Sequence, residues 1–163
     1  LRTVKTWFFT VFITVIVLIV IGSWSLYTNN TNFQNQSAQS AIKKAKKWYS
    51  FNQVLSVTAY HGSDDYQVIK AKQGRKTMYF WIPDRLKKAP YFERAANKGL
   101  TKEQALQKLS GKGLDVQKII SVRLGAIQGN PVWEITFLNS KHKYNYVSIS
   151  FDNGKEAQRI LNV

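Results

Sequence analysis

Residues 117–139, QKIISVRLGAIQGNPVWEITFLN, hold two strand-length runs, Gln117–Ile127 and Pro131–Asn139, joined by the turn Gln128-Gly129-Asn130. In the second run Trp133, Ile135 and Phe137 share one face of an extended chain, with Glu134 and Thr136 on the other. That two-residue period is the mark of a half-buried strand. So short a turn makes the pair an antiparallel hairpin. Upstream, Thr101 and Gln104 have the spacing of a capping box, which opens a helix running to about Leu109. Gly111 and Gly113 terminate it. Downstream, Asn139-Ser140-Lys141 turns into a third strand, Tyr144–Phe151, which Asp152-Asn153-Gly154 ends. The unit reads helix, strand, strand, strand.

The same order occurs once before. Ser37 is placed to cap a helix over Ala38–Ser50, with Ala38, Ala41, Ile42, Ala45 and Tyr49 on one face. Lys43, Lys44, Lys46 and Lys47 project mainly from the other. Three strands follow, Val54–His61, Tyr66–Lys72 and Lys76–Ile82, joined by short turns at His61–Asp65 and Gln73–Arg75. Pro83 ends the third. Asp84–Lys98 is then a basic connection with Pro90 and a short helix. The expected fold is α+β, with two tandem repeats of one helix on a three-stranded antiparallel sheet.

Before the repeats, Trp7–Tyr27 (WFFTVFITVIVLIVIGSWSLY) carries no charge. As a helix it spans roughly 30 Å, the thickness of a bilayer's hydrocarbon core. Arg2 and Lys5 precede it and no charged residue follows until Lys43, so the N-terminus is expected in the cytoplasm and the repeats outside. Ser23-Trp24-Ser25 is a poor signal-peptidase site, so a retained single-pass anchor is expected. The chain thus divides into a cytoplasmic stub and transmembrane anchor (1–27), a polar linker (28–36), a first repeat with its connection (37–98) and a second repeat (99–163).

The formal net charge of +15 falls only to +13 without Arg2 and Lys5. For an external domain the available polyanions are lipid headgroups and acidic wall polymers rather than nucleic acid. Lys43, Lys44, Lys46 and Lys47 are the candidate contact with such a surface, against the plainer reading of a solvated helix face. The chain has no cysteine. Disulfides and thiolate metal sites are therefore excluded, and packing must supply the stability.

Tyr60-His61-Gly62 with Tyr66, Val68 and Trp81-Ile82-Pro83 resembles the first half of the TseB/YpmB-type cell-wall elongation regulators. Lys118–Gly125 (KIISVRLG) and Pro131–Ile135 (PVWEI) resemble the second half more closely, and Asp152–Lys155 (DNGK) falls where a closing turn is expected. The resemblance covers the whole chain, the N-terminal span included. It implies tandem PepSY-like or cystatin-like domains on a membrane anchor in a Gram-positive bacterium. It also implies a role in lateral wall elongation through a class B penicillin-binding protein.

No residue set suggests catalysis. The two histidines, His61 and His142, belong to different repeats, each at a turn or strand end, so neither a metal nor another cofactor is expected. No Gly-x-Ser-x-Gly elbow is present. Asp64 and Asp65 share a turn and cannot converge on one atom as a glycosidase pair would. Glu134 is expected to meet a cross-strand Lys or Arg. Tyr79 and Trp81 alternate with Met78, Phe80 and Ile82. If the latter set meets the helix, Tyr79 and Trp81 either seal the two repeats together or form a partner surface. The function expected is a non-enzymatic, membrane-anchored regulator that binds a penicillin-binding protein. Two alternatives stand beside it: restraint of an exported peptidase by PepSY-like units, and a basic tether for anionic wall polymers.

Overall fold

The computed structural model describes residues 2–84 and 89–163, and within the first helix the side chains at 2–6, 8–10, 25–27, 29–30 and 33 are outside the described set. By contacts the chain forms two compact units, Leu1–Gln39 and Ser40–Val163.

The first unit is helical. Helix α1 is a single element, Arg2–Ala45. Its side chains Val11–Ile13, Val15–Ile21 and Trp24 are each at least 43% exposed, and seven consecutive positions among them face every direction around the axis. Among the described residues no helix is long and apolar enough to cross a membrane. Parts of the Trp7–Tyr27 run, and the charges of Arg2 and Lys5 that would orient it, lie outside the described side chains. The polar stretch 28–36, expected as a spacer without structure, is helical too, so Ser37 sits within α1 instead of capping a new helix. Extending an existing helix avoids the cost of a new nucleus, and no Pro or Gly interrupts 28–45. The Thr28 and Thr31 hydroxyls donate to the carbonyls of Trp24 and Thr28, each across 3.0 Å.

In the second unit the last turn of α1 meets an antiparallel sheet of order β1-β2-β3-β4. Its strands are β1 Gln53–His61, β2 Asp65–Gln73, β3 Lys76–Pro83 and β4 Phe92–Ala95. A 3-10 turn at Ala96–Lys98 leads to α2, Lys102–Ser110. The second sheet repeats the order with β5 Lys118–Ile127, β6 Asn130–Leu138, β7 Tyr144–Ser150 and β8 Glu156–Ile160. Thr101 and Gln104 make both bonds of the capping box, 3.2 Å and 2.8 Å.

Each sheet has four strands where three were expected. β4 is four residues long and is held by β3, with Trp81 opposite Phe92 and Met78 opposite Ala95. β8 is an exposed edge, so it carries no alternation to read. The short helix expected within Asp84–Lys98 reduces, in its described part, to the 3-10 turn. Positions 85–88 of that connection are outside the described residues. The repeat shows in the defects as well. β1 and β5 each carry a bulge at matching places, in Val54-Leu55-Ser56-Val57 and Ile119-Ile120-Ser121-Val122.

The first sheet is buried on both faces. Ile69, Ala71, Met78, Phe80 and Ile82 pack on Ala41 and Ala45 of α1. Tyr66, Val68, Trp81 and Phe92 instead enter the second repeat's core, with Leu124, Trp133, Ile135, Phe137, Val147, Ile149, Phe151 and α2. The two repeats share this core.

Candidate functional site

A connected polar and aromatic cluster lies where the sheets meet. Trp81, in the middle of β3 between Val68 and Phe92, is fully buried. Its Nε1–H donates to the Gly125 carbonyl of β5 across 2.9 Å. The indole stacks on Phe92 at 4.7 Å between centroids and meets Phe151 edge-on at 6.1 Å. Tyr79 is half-buried, with its ring edge-on to Phe151 at 5.9 Å. Trp81 therefore offers no surface to a partner. Of the two places the alternation allowed, these residues occupy the junction.

Tyr60, near the end of β1, completes the contact. Its ring lies on the backbone of Gly125, where an added Cβ would come within 2.3 Å of it. Only glycine permits this approach. The Tyr60 hydroxyl donates to Glu134 Oε2 of β6 across 3.1 Å. Burial first, and then the adjacent Glu134 carboxylate, raise the Tyr60 phenol well above its ordinary value. Tyr66 is pushed up to about 12, by burial and then by Asp64. Glu134 stands opposite Arg123 in register, yet its bond goes to the tyrosine and not to the basic neighbour expected from sequence. At the rim Arg94 Nε of β4 reaches Asp152 Oδ1 at 3.2 Å.

The lysine cluster lies apart from this junction. Lys43, Lys46 and Lys47 are exposed, while Lys44 is half-buried and donates to the Asp84 carbonyl across 3.3 Å. Among the described residues none of the four forms an ion pair. Lys43 and Lys44 sit in the last turn of α1, where positive charge complements the helix dipole. Trp48 just beyond is 68% exposed.

Among the described residues no catalytic constellation is assembled at this junction. His61 pairs with Asp65 at 2.9 Å on the surface, and His142 occupies a turn with φ of 58°. Among the described residues no group of three or more His, Cys, Asp or Glu could hold a metal ion. Ser40 and Lys43 have the bare Ser-x-x-Lys spacing of penicillin-recognising serine enzymes, but both are exposed on α1, and neither the Ser-Asp-Asn nor the Lys-Thr-Gly companion occurs in the chain. Sequence reasoning missed Tyr60, Gly125 and Glu134 as a set. A lone glycine within a strand pattern was the available signal.

No protein-family profile matches the chain. It is 30% identical over 159 residues to the probable cell wall elongation regulator TseB of Bacillus subtilis strain 168, covering 96% of this chain and 97% of that protein. Among solved structures, the YpmB protein from Bacillus subtilis superposes with a TM-score of 0.69 at 28% identity, covering 75% of this chain and 94% of the other.

Proposed function

The chain belongs to the family of the probable cell wall elongation regulator TseB, and we propose that it is a non-enzymatic, membrane-anchored regulator of wall elongation that works by contact with a class B penicillin-binding protein. In this reading α1 crosses the membrane over Trp7–Tyr27, with the N-terminus in the cytoplasm and the second unit outside. The observation that carries the anchor is the helix surface of Val11–Trp24, which is apolar on every side. A helix of that kind belongs in a protein core or in lipid. Outside the membrane there is no ATP, so a regulator acts there by binding and orienting its partner. The junction suits that role. Trp81, Tyr60 and Arg94 each tie one sheet to the other, which fixes the relative placement of whatever surface the pair presents.

A second reading, an anionic wall polymer as a further partner, is supported by the exposed Lys43, Lys46 and Lys47. Crosslinking in intact cells tests both readings. Recovery of a class B penicillin-binding protein supports the first, and recovery of polymer alone replaces it with the second. Recovery of a peptidase instead would favour the inhibitor function.

A further inference from the structure

The second sheet has two faces, and α2 covers one. That face carries Val122, Leu124, Trp133, Ile135, Phe137 and Val147. On the opposite face the cross-strand rows run Lys118–Leu138–Tyr144, Ser121–Thr136–Tyr146–Ile160 and Arg123–Glu134–Ser148–Gln158. Tyr60 covers this face at its Gly125 end, and Thr136 and Ser148 in its middle rows are buried. Tyr144 and Ile160 are each 45% exposed, and Leu138 and Tyr146 are half-buried between them.

The exposed charges on this face have one sign. Lys118 and Arg123 are exposed on its β5 side and form no ion pair among the described residues. The one carboxylate in these rows, Glu134, already accepts from Tyr60. Two copies joined through this face would set cations against cations, in a chain whose net charge is already +15. Complementarity calls instead for an apolar patch beside carboxylates.

We propose that the face of the second sheet opposite α2, centred on Tyr144, Tyr146 and Ile160 and flanked by Lys118 and Arg123, docks a protein surface with an apolar centre and an acidic rim. This rests on the contact function proposed above and gives that contact its place. Half-exposed aromatic and aliphatic side chains supply the area excluded from water, and the cations set orientation and speed of association.

The test uses the full chain in detergent and, as probe, a purified class B penicillin-binding protein ectodomain at low and moderate salt. The double variant Tyr144→Ala/Ile160→Ser is expected to weaken binding at least tenfold. Lys118→Glu/Arg123→Glu is expected to weaken it at least threefold at low salt, with a smaller change at moderate salt. Thermal midpoints verify folding, and if the apolar variant unfolds, the exposed charge pair decides. If the wild type binds and the folded variants bind equally well, this face is not the contact, while the contact function stands. If the wild type does not bind the ectodomain at all, the contact function fails and the inference with it. Self-association of the wild type that the variants abolish, with ectodomain binding unchanged, would assign the face to a second copy and overturn the proposal.

Discussion

Trp81 of β3 and Gly125 of β5 are joined by a buried hydrogen bond of 2.9 Å that runs from one sheet to the other. Trp81→Phe keeps most of the ring but leaves the Gly125 carbonyl without its donor, at a cost of about 1–3 kcal/mol. Trp81→Ala also opens a cavity beside Phe92 and Phe151, for about 3–5 kcal/mol. Because the repeats share one core, both variants should lower a single thermal transition of the second unit. Two separated transitions, with only the first sheet's signal shifted, would show that the repeats unfold independently.

Gly125 carries a sharper expectation, since the Cβ of an alanine would come within 2.3 Å of the Tyr60 ring. The ring is fully buried, and the atoms in conflict belong to its stiff body and not to the far end of a flexible chain. Overpacking of this kind costs about 1–3 kcal/mol. Tyr60→Leu, with its smaller side chain, should relieve part of the strain. In a double-mutant cycle the pair should therefore be less destabilised than the sum of the singles. Strict additivity of the two unfolding free energies would mean that ring and backbone do not press on each other.

The hairpins and α2 were legible because short-range chemistry specifies them. Thr101 and Gln104 announce the helix start, and Trp133, Ile135 and Phe137 the strand. β4 and β8 were not, being short edge strands whose pairing is set by β3 and β7 and not by their own residues. The helical state of 28–36 escaped because Asn and Thr, which dominate it, are weak helix formers whose state depends on the helix already running into them. At the junction, alternation put Trp81 and Tyr79 on the correct strand face. What covers that face is a contact between residues far apart in sequence, such as Tyr60 and Glu134, and periodicity carries no record of it.

Tyr60 and Tyr66 should make the fold sensitive to alkali. Their phenols are raised in the folded state, with Tyr66 at about 12 against an ordinary 10.0. A raised value means that the contribution to stability is complete below pH 10 and is lost as pH climbs from there through 12. Unfolding followed against pH should show an alkaline transition coupled to tyrosinate absorbance. Tyr60→Phe and Tyr66→Phe should each reduce that coupling. An unchanged transition in the double variant would assign alkaline unfolding to other groups.

At the acid end, Glu156 is held at about 2, against an ordinary 4.5, by hydrogen bonds from Arg159 and then Lys112. The Lys112 bridge links β8 to the loop after α2 and the Arg159 bridge lies within β8, with Lys112 Nζ and Arg159 Nη2 each 2.7 Å from Glu156 Oε2. A lowered value means that the stabilisation is present above 4.5 and is lost as pH falls towards 2. Glu156→Gln should therefore destabilise the protein at neutral pH and flatten the decline between 4.5 and 2. If the variant loses stability with acid as steeply as the wild type, another carboxylate governs that limb.

The lysines separate specific contact from attraction by charge alone. Exposed single charges contribute about 0–1 kcal/mol each and are screened by salt. Replacing Lys43, Lys46 and Lys47 with Gln should leave recovery of a penicillin-binding protein ectodomain largely intact at moderate salt, because those side chains are exposed and lie on α1, not on the second sheet. The same variant should lose most of its retention on an anionic wall polymer. Lys44 is left in place, since its ammonium donates to the Asp84 carbonyl and its loss would disturb the loop after β3. If the triple variant instead loses the ectodomain while keeping its thermal midpoint, and wild-type recovery also vanishes as salt is raised, attraction by charge accounts for the capture, and the protein is a basic tether whose sheets only carry the helix.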